Sequence, residues 1–150
     1  MAGVDQTDVQ ILRALLSDAR LSYRRVAERC GISAATAMTR IKKLEKMGVI
    51  EGYTLRIDHE KLGYDITTIT ELTIAKGENR LMNVEKGISN CPGVCSLYNI
   101  TGSADGVVVA KFRNRTELSK FTKKLLSIDG VERTNTHIVL STIKEDINIL

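Results

Sequence analysis

Residues 22–48, SYRRVAERCGISAATAMTRIKKLEKMG, contain two helix starts and two helix stops in one short stretch. Ser22 and Ser33 each precede a run of good helix formers, and each hydroxyl suits an orphan N–H of the first turn. Outside each cap stands an apolar residue, Leu21 and Ile32. Another follows at the fourth helical position, Val26 and Ala37, which is the spacing of a hydrophobic staple. Gly31 and Gly48 fall where a chain leaving a helix needs a left-handed residue without a Cβ penalty. The pattern predicts helices over Tyr23 to Cys30 and Ala34 to Met47 joined by a sharp turn, the outline of a helix-turn-helix.

Charge narrows the partner. Between Arg20 and Lys46 stand eight Lys/Arg against Glu28 and Glu45, a net of +6, whereas the whole chain is only +4. On the second helix Ala37, Ile41 and Leu44 recur at core spacing. Thr36, Thr39, Arg40 and Lys43 share the other side, and Ala35 is small enough to meet a thymine methyl. A compact basic unit offset by acid elsewhere predicts duplex DNA as partner. Ser22, Tyr23 and Arg24 would hold phosphate, while Ser33, Ala35, Thr36, Thr39, Arg40 and Lys43 would read or border the major groove.

The flanks extend the unit. Asp5 caps a preceding helix whose apolar stripe is Ile11, Leu12, Leu15 and Leu16, with Asp8 adding favourable charge in its first turn. After Gly48, VIEGYTLRID mixes β-branched and aromatic residues around Gly52, which predicts a short two-stranded wing or one extended strand. Residues 57–65, IDHEKLGYD, read as a polar linker, giving domains 1–56 and 66–150.

In the second half, ITTITELTIA alternates as a strand, and LMNVEKGI puts Leu81, Val84 and Ile88 on one helical face. VCSLYNI and VVVAKF read as strands, LSKFTKKLLSI as a helix with Leu118, Phe121, Leu125 and Ile128 on one face, and HIVLSTI as a last strand. The order is βαββαβ. Its halves echo each other, with I-A-K leading through a helix to P-G-V, and V-A-K to D-G-V. That repeat predicts a split βαβ, ferredoxin-like domain. Two helices cover one sheet face, and Ile69, Val108 and Val139 are candidates to line the other. Self-association through that face would also pair two DNA-reading helices.

The fold class is therefore α+β: an N-terminal winged helix-turn-helix of three helices plus a short wing, then a ferredoxin-like βαββαβ ligand-binding and oligomerisation domain. No apolar run approaches the ~20 residues of a membrane span, and MAGVDQTD lacks the basic and apolar regions of a signal peptide, so a cytoplasmic protein without a membrane partner is expected. Cys30, Cys91 and Cys95 form neither a redox C-x-x-C nor a zinc set, so they read as inert thiols, Cys30 packed against the core, with no metal and no cofactor.

D-x-x-D-x-x-I-L-x-x-L at Asp5 to Leu15, the serine-capped helices, R-I-K-K-L-E-K-M-G-V-I at Arg40 to Ile50 and T-G-S-A-D at Thr101 to Asp105 resemble the Lrp/AsnC, or feast/famine, transcription regulators over essentially the whole chain. The resemblance implies a homodimer, often assembled into tetramers or octamers, that binds pseudo-palindromic operators and responds to an amino acid. It implies Gly102, Ser103 and Asp105 in the effector loop, with Thr134 and Thr136 facing the same pocket. Relatives commonly carry an acidic residue and an aromatic between this Gly and Asp, and a large apolar residue after; Ser103, Ala104 and Gly106 stand there. The same residues also suit a tight hairpin. An enzyme reading comes from siroheme decarboxylase subunits, which resemble the same family and would draw on His59 and His137.

Overall fold

The computed structural model describes residues 3–77 and 80–150. The chain divides into two compact units, Met1–Arg56 with Asp146–Leu150, and Ile57–Glu145. In the first unit lie α1 (Gln6–Ser17), α2 (Tyr23–Cys30) and α3 (Ala34–Lys46). Asp5 and Asp8 close a capping box at the start of α1, and the hydroxyls of Ser22 and Ser33 accept the N–H groups of Arg25 and Thr36 at the starts of α2 and α3. Gly31 ends α2 at φ +66, and Gly48 follows α3 at φ +70, both in the left-handed region.

Behind these caps Ile11, Leu15, Val26, Ala27, Ala37, Ile41 and Leu44 form one buried cluster, with Leu21, Ile32 and Cys30 packed against it. Each fully buried Ile, Leu or Val contributes about 1.5–3 kcal/mol, and this cluster fixes how α3 is held. Leu16, expected in the stripe of α1, is nearly half exposed at its last turn.

The wing differs from expectation, since residues 49–58 form no paired strand. Gly52 interrupts the segment, and an isolated two-stranded ribbon is marginal in water. Its tie is instead Tyr53, whose hydroxyl donates to Glu45 of α3 at 2.9 Å. Partial desolvation of the half-exposed ring, reinforced by that carboxylate, pushes the Tyr53 phenol up to about 12. A raised phenol stabilises the fold fully below the unfolded value near 10, and the contribution is lost as pH climbs from there to about 12. Phenolate absorbance of the parent minus that of Tyr53→Phe should therefore rise near pH 12; a step near pH 10 would contradict the tie.

The second unit opens with a 3-10 turn, Glu60–Leu62, in the stretch expected as linker. It continues through β1 (Ile66–Ile74), α4 (Arg80–Ser89), β2 (Val94–Asn99), β3 (Gly106–Phe112), α5 (Arg115–Ser127) and β4 (Val131–Ile138). The sheet order is β2-β3-β1-β4, antiparallel throughout, which is the βαββαβ arrangement. Gly93, at φ +84, sits where an added Cβ would lie 2.5 Å from the Lys111 carbonyl oxygen, beside the bulge that shifts β2 against β3.

The last strand is Val131–Ile138, not 137–143. Beyond Val139 the chain leaves β1, and Leu140 and Ile143 are almost fully exposed. Pairing with β1, not the richer apolar run, decides where this strand lies. Leu72, Val84, Ile88, Val108, Ala110, Phe112, Phe121 and Leu125 form the core under α4 and α5. Val108 thus belongs to the helix-covered face, not the open one, because it pairs with Thr70 and Leu97. The open face carries Ile69, Val107, Val109, Tyr98 and Val139, with Ile69 and Tyr98 exposed. Leu81, at the first turn of α4, is also exposed.

Candidate functional site

Because Ala37, Ile41 and Leu44 are buried, helical periodicity turns Ala35, Thr36, Thr39, Arg40 and Lys43 outward. These five residues, with Asp5, line one open hollow of the first unit. Their polar groups are less free than their types suggest. The Ser33 and Thr36 hydroxyls bond each other at 2.8 Å, and Thr39 donates to the Ala35 carbonyl oxygen at 2.9 Å. Ser22 is occupied as a cap, Tyr23 is exposed, and among the described residues the 85% exposed Arg24 pairs with Glu28 alone, at 3.2 Å. Arg25 also binds Glu28, and the two guanidiniums, Arg25 first, hold that carboxyl below its ordinary value. Exposed pairs of this kind are weak, so Arg24 and Arg25 can exchange Glu28 for phosphate.

Arg40 is different. Its Nη1 donates to Asp5 Oδ2 at 2.7 Å and to Asp8 Oδ1 at 2.8 Å, and Asp8 is fully buried. The Arg40 hydrogen bond holds the Asp5 carboxyl below its usual value, and the two carboxylates raise Arg40. Lys43 Nζ donates to the Gly3 carbonyl oxygen at 2.5 Å and lies 3.8 Å from Asp8. The two cations of α3 expected to face DNA unaided are therefore braced by the start of α1. Sequence reasoning treats Asp5 and Asp8 as caps alone; the D-x-x-D spacing is the signal that both carboxylates share one turn.

In the second unit Ser103 and Ala104 meet Glu71, Thr73, Arg133 and Asn135 around a hollow on the open sheet face. Thr73 pairs with Arg133 and Glu71 with Asn135, and opposed residues share a face. Asn135 donates to Glu71 Oε2 at 3.1 Å and bonds His137 Nε2 at 3.0 Å. Thr134 pairs with buried Leu72, and Thr136 with buried Thr70, its hydroxyl 3.1 Å from that of Thr70. Both threonines therefore lie on the helix-covered face and do not meet Ser103, a correction of the expected pocket. Asp105 spends one carboxylate oxygen on the Ile74 N–H at 2.7 Å, while Gly102 turns the loop at φ +123 with open space beside it. Polar residues at every second position of β1 and β4 are the sequence signal for this hollow.

The histidines are separate. His59 stacks edge-on to Tyr64 and His137 sits with Asn135 and Glu71; no hydrogen bond or ring contact joins the two. Among the described residues, no group of three or more His, Cys, Asp and Glu could hold a metal ion, and no helix is long and apolar enough to cross a membrane.

Comparison with known proteins places both units. Residues 4–51 match a family described as winged helix-turn-helix DNA-binding, and residues 67–149 match the Lrp/AsnC ligand binding domain. An uncharacterized HTH-type transcriptional regulator of Pyrococcus furiosus is 43% identical over 146 residues, covering 97% of each chain. The HTH-type transcriptional regulator FL11 of Pyrococcus horikoshii is 34% identical, over 95% of this chain and 93% of its own. The crystal structure of a Neisseria meningitidis transcriptional regulator in complex with L-Met superposes with a TM-score of 0.93 at 26% identity, covering 99% of this chain and 97% of that one.

Proposed function

The chain belongs to the Lrp/AsnC family of DNA-binding transcription regulators, and we propose that it binds pseudo-palindromic operators in the prokaryotic cytoplasm as a homodimer or larger assembly. The observation that carries this reading is the outward face of α3, where Ala35, Thr36, Thr39, Arg40 and Lys43 surround one open hollow backed by a buried apolar core. Small side chains there let the helix approach base edges. Ser22, Tyr23 and Arg24 approach phosphate at the start of α2, and Ser33 borders the groove as the cap of α3. Residues 1–56 form the DNA-binding domain; the effector and oligomerisation domain, expected over residues 66–150, stops at Glu145, since Asp146–Leu150 group with the first unit. The exposed Ile69 and Tyr98 on the open face support self-association through the sheet.

The effector reading moves with the register. An amino acid suits the hollow between Ser103 and the strands, with Arg133 for its carboxylate and Glu71 for its ammonium group. Gly102 and Asp105 shape the turn that presents Ser103. The L-Met complex of the Neisseria regulator supports an amino acid as the ligand class. A charge-assisted hydrogen bond contributes about 1.5–3 kcal/mol, so Arg133→Ala should weaken effector binding at least tenfold in calorimetric titration while Thr134→Ala changes it little. Equal losses would return the ligand to the helix-covered face. If no amino acid of the twenty alters DNA affinity or assembly size of the parent, the effector role goes.

A further inference from the structure

We propose that Asp5 and Asp8 are positioning residues for Arg40, holding it by Nη1 so that its Nε/Nη2 edge is aimed as a bidentate reader of guanine. This rests on the DNA-reading role of α3 proposed above.

An arginine offers five N–H donors in a rigid fork. Nη1 has two of them, and both are spent, on Asp5 Oδ2 at 2.7 Å and Asp8 Oδ1 at 2.8 Å. Among the described residues Nε and Nη2 donate to nothing. Nη1 is the nitrogen on the Cδ side of the guanidinium, so the unused pair shares one edge with two parallel N–H bonds. That edge is the geometry that takes the N7 and O6 of guanine.

The anchor is itself fixed. Asp5 Oδ1 accepts the Asp8 N–H at 2.9 Å and Asp8 Oδ2 accepts the Asp5 N–H at 3.1 Å, so the capping box of α1 sets the direction of both carboxylates. Asp8 is fully buried, and without Arg40 its carboxylate would keep only Lys43, 3.8 Å away, as a counter-charge. Arg40 is 29% exposed and lines the same hollow as Ala35, Thr36, Thr39 and Lys43, so its open edge belongs to the proposed reading face. Charge points the same way. Two carboxylates face Arg40 and Lys43, leaving this cluster near neutral, so it adds direction to the interface and little phosphate attraction.

The test uses the full chain and an operator selected from random duplex DNA. Each guanine of the operator is replaced in turn by 7-deazaguanine, which lacks the N7 acceptor. Two variants are compared: Asp5→Asn, which keeps an N-cap of equal quality, and Arg40→Lys, which keeps a cation for Asp8 but has no planar edge. The parent should lose roughly tenfold at one symmetry-related guanine. Arg40→Lys should bind the natural operator roughly tenfold more weakly and be indifferent to that replacement. Asp5→Asn should lose severalfold in preference for operator over random DNA, with binding to random DNA not weakened. Two results overturn the proposal: an Arg40→Lys profile identical to the parent's, or a gain for Asp5→Asn on operator and random DNA alike, the mark of a carboxylate that competes with phosphate. A parent that binds no DNA would remove the reading beneath it as well.

Discussion

Replacing Ile41 by alanine should cost the helical unit about 2–5 kcal/mol, as deletion of a fully enclosed branched side chain does. Ile41 is 2% exposed and packs with Ile11, Val26, Ala37 and Leu44, so a cavity there has walls from all three helices. Small domains keep a margin of only about 5–15 kcal/mol, so one such change takes much of the stability of a three-helix unit. Operator affinity should fall with it, since α3 is held at its reading angle by this cluster. Amide exchange reads the effect directly: protection should drop across α1, α2 and α3 while β1 to β4 keep theirs. By contrast Met38→Ala, on the exposed side of α3, should stay within about 0.5 kcal/mol. Equal loss of protection in the sheet would contradict the division into two separately packed units.

The second large effect is electrostatic. For an assembly that neutralises roughly six phosphates, raising salt from about 50 to 200 mM should lower DNA affinity on the order of a thousandfold. Arg24→Ala should reduce the slope of log affinity against log salt by about 0.9 for each phosphate it no longer neutralises, and equally on operator and random DNA. Arg24 is suited to that role because it is 85% exposed and leaves only a surface ion pair behind. Arg40 is proposed to meet a base edge and not a phosphate, so its substitution should change the slope less than that of Arg24 and alter sequence preference instead. A slope that responds to Arg40 and ignores Arg24 would reverse these assignments.

The three helices are legible in the sequence because their signals are local. Caps at Asp5, Ser22 and Ser33 and left-handed glycines at 31 and 48 act within a few residues of where they are written. The βαββαβ order is legible for the same reason, through alternation and helical spacing. Long-range pairing is not. V-E-R-T-N-T-H-I forms β4 although H-I-V-L-S-T-I has the stronger apolar run, because β1 supplies a partner only up to Val139. Strand parity then decides which residues line the hollow proposed for an effector. One position along β4 exchanges Thr134 and Thr136 for Arg133 and Asn135 at the hollow, and no sequence pattern in so polar a strand fixes that parity. At the DNA face, Arg40 and Lys43 are visible as a basic stripe, but the brace from Asp5 spans 35 positions and comes only from helix packing.

Selection of bound sequences from random duplex DNA, with and without the twenty amino acids, probes operator binding and effector response together. A two-fold symmetric site should be enriched, its half-sites about one helical turn (~34–36 Å), or a multiple of it, apart, with yield or spacing altered by an amino acid. A pool that remains random after repeated rounds under both conditions would contradict operator binding.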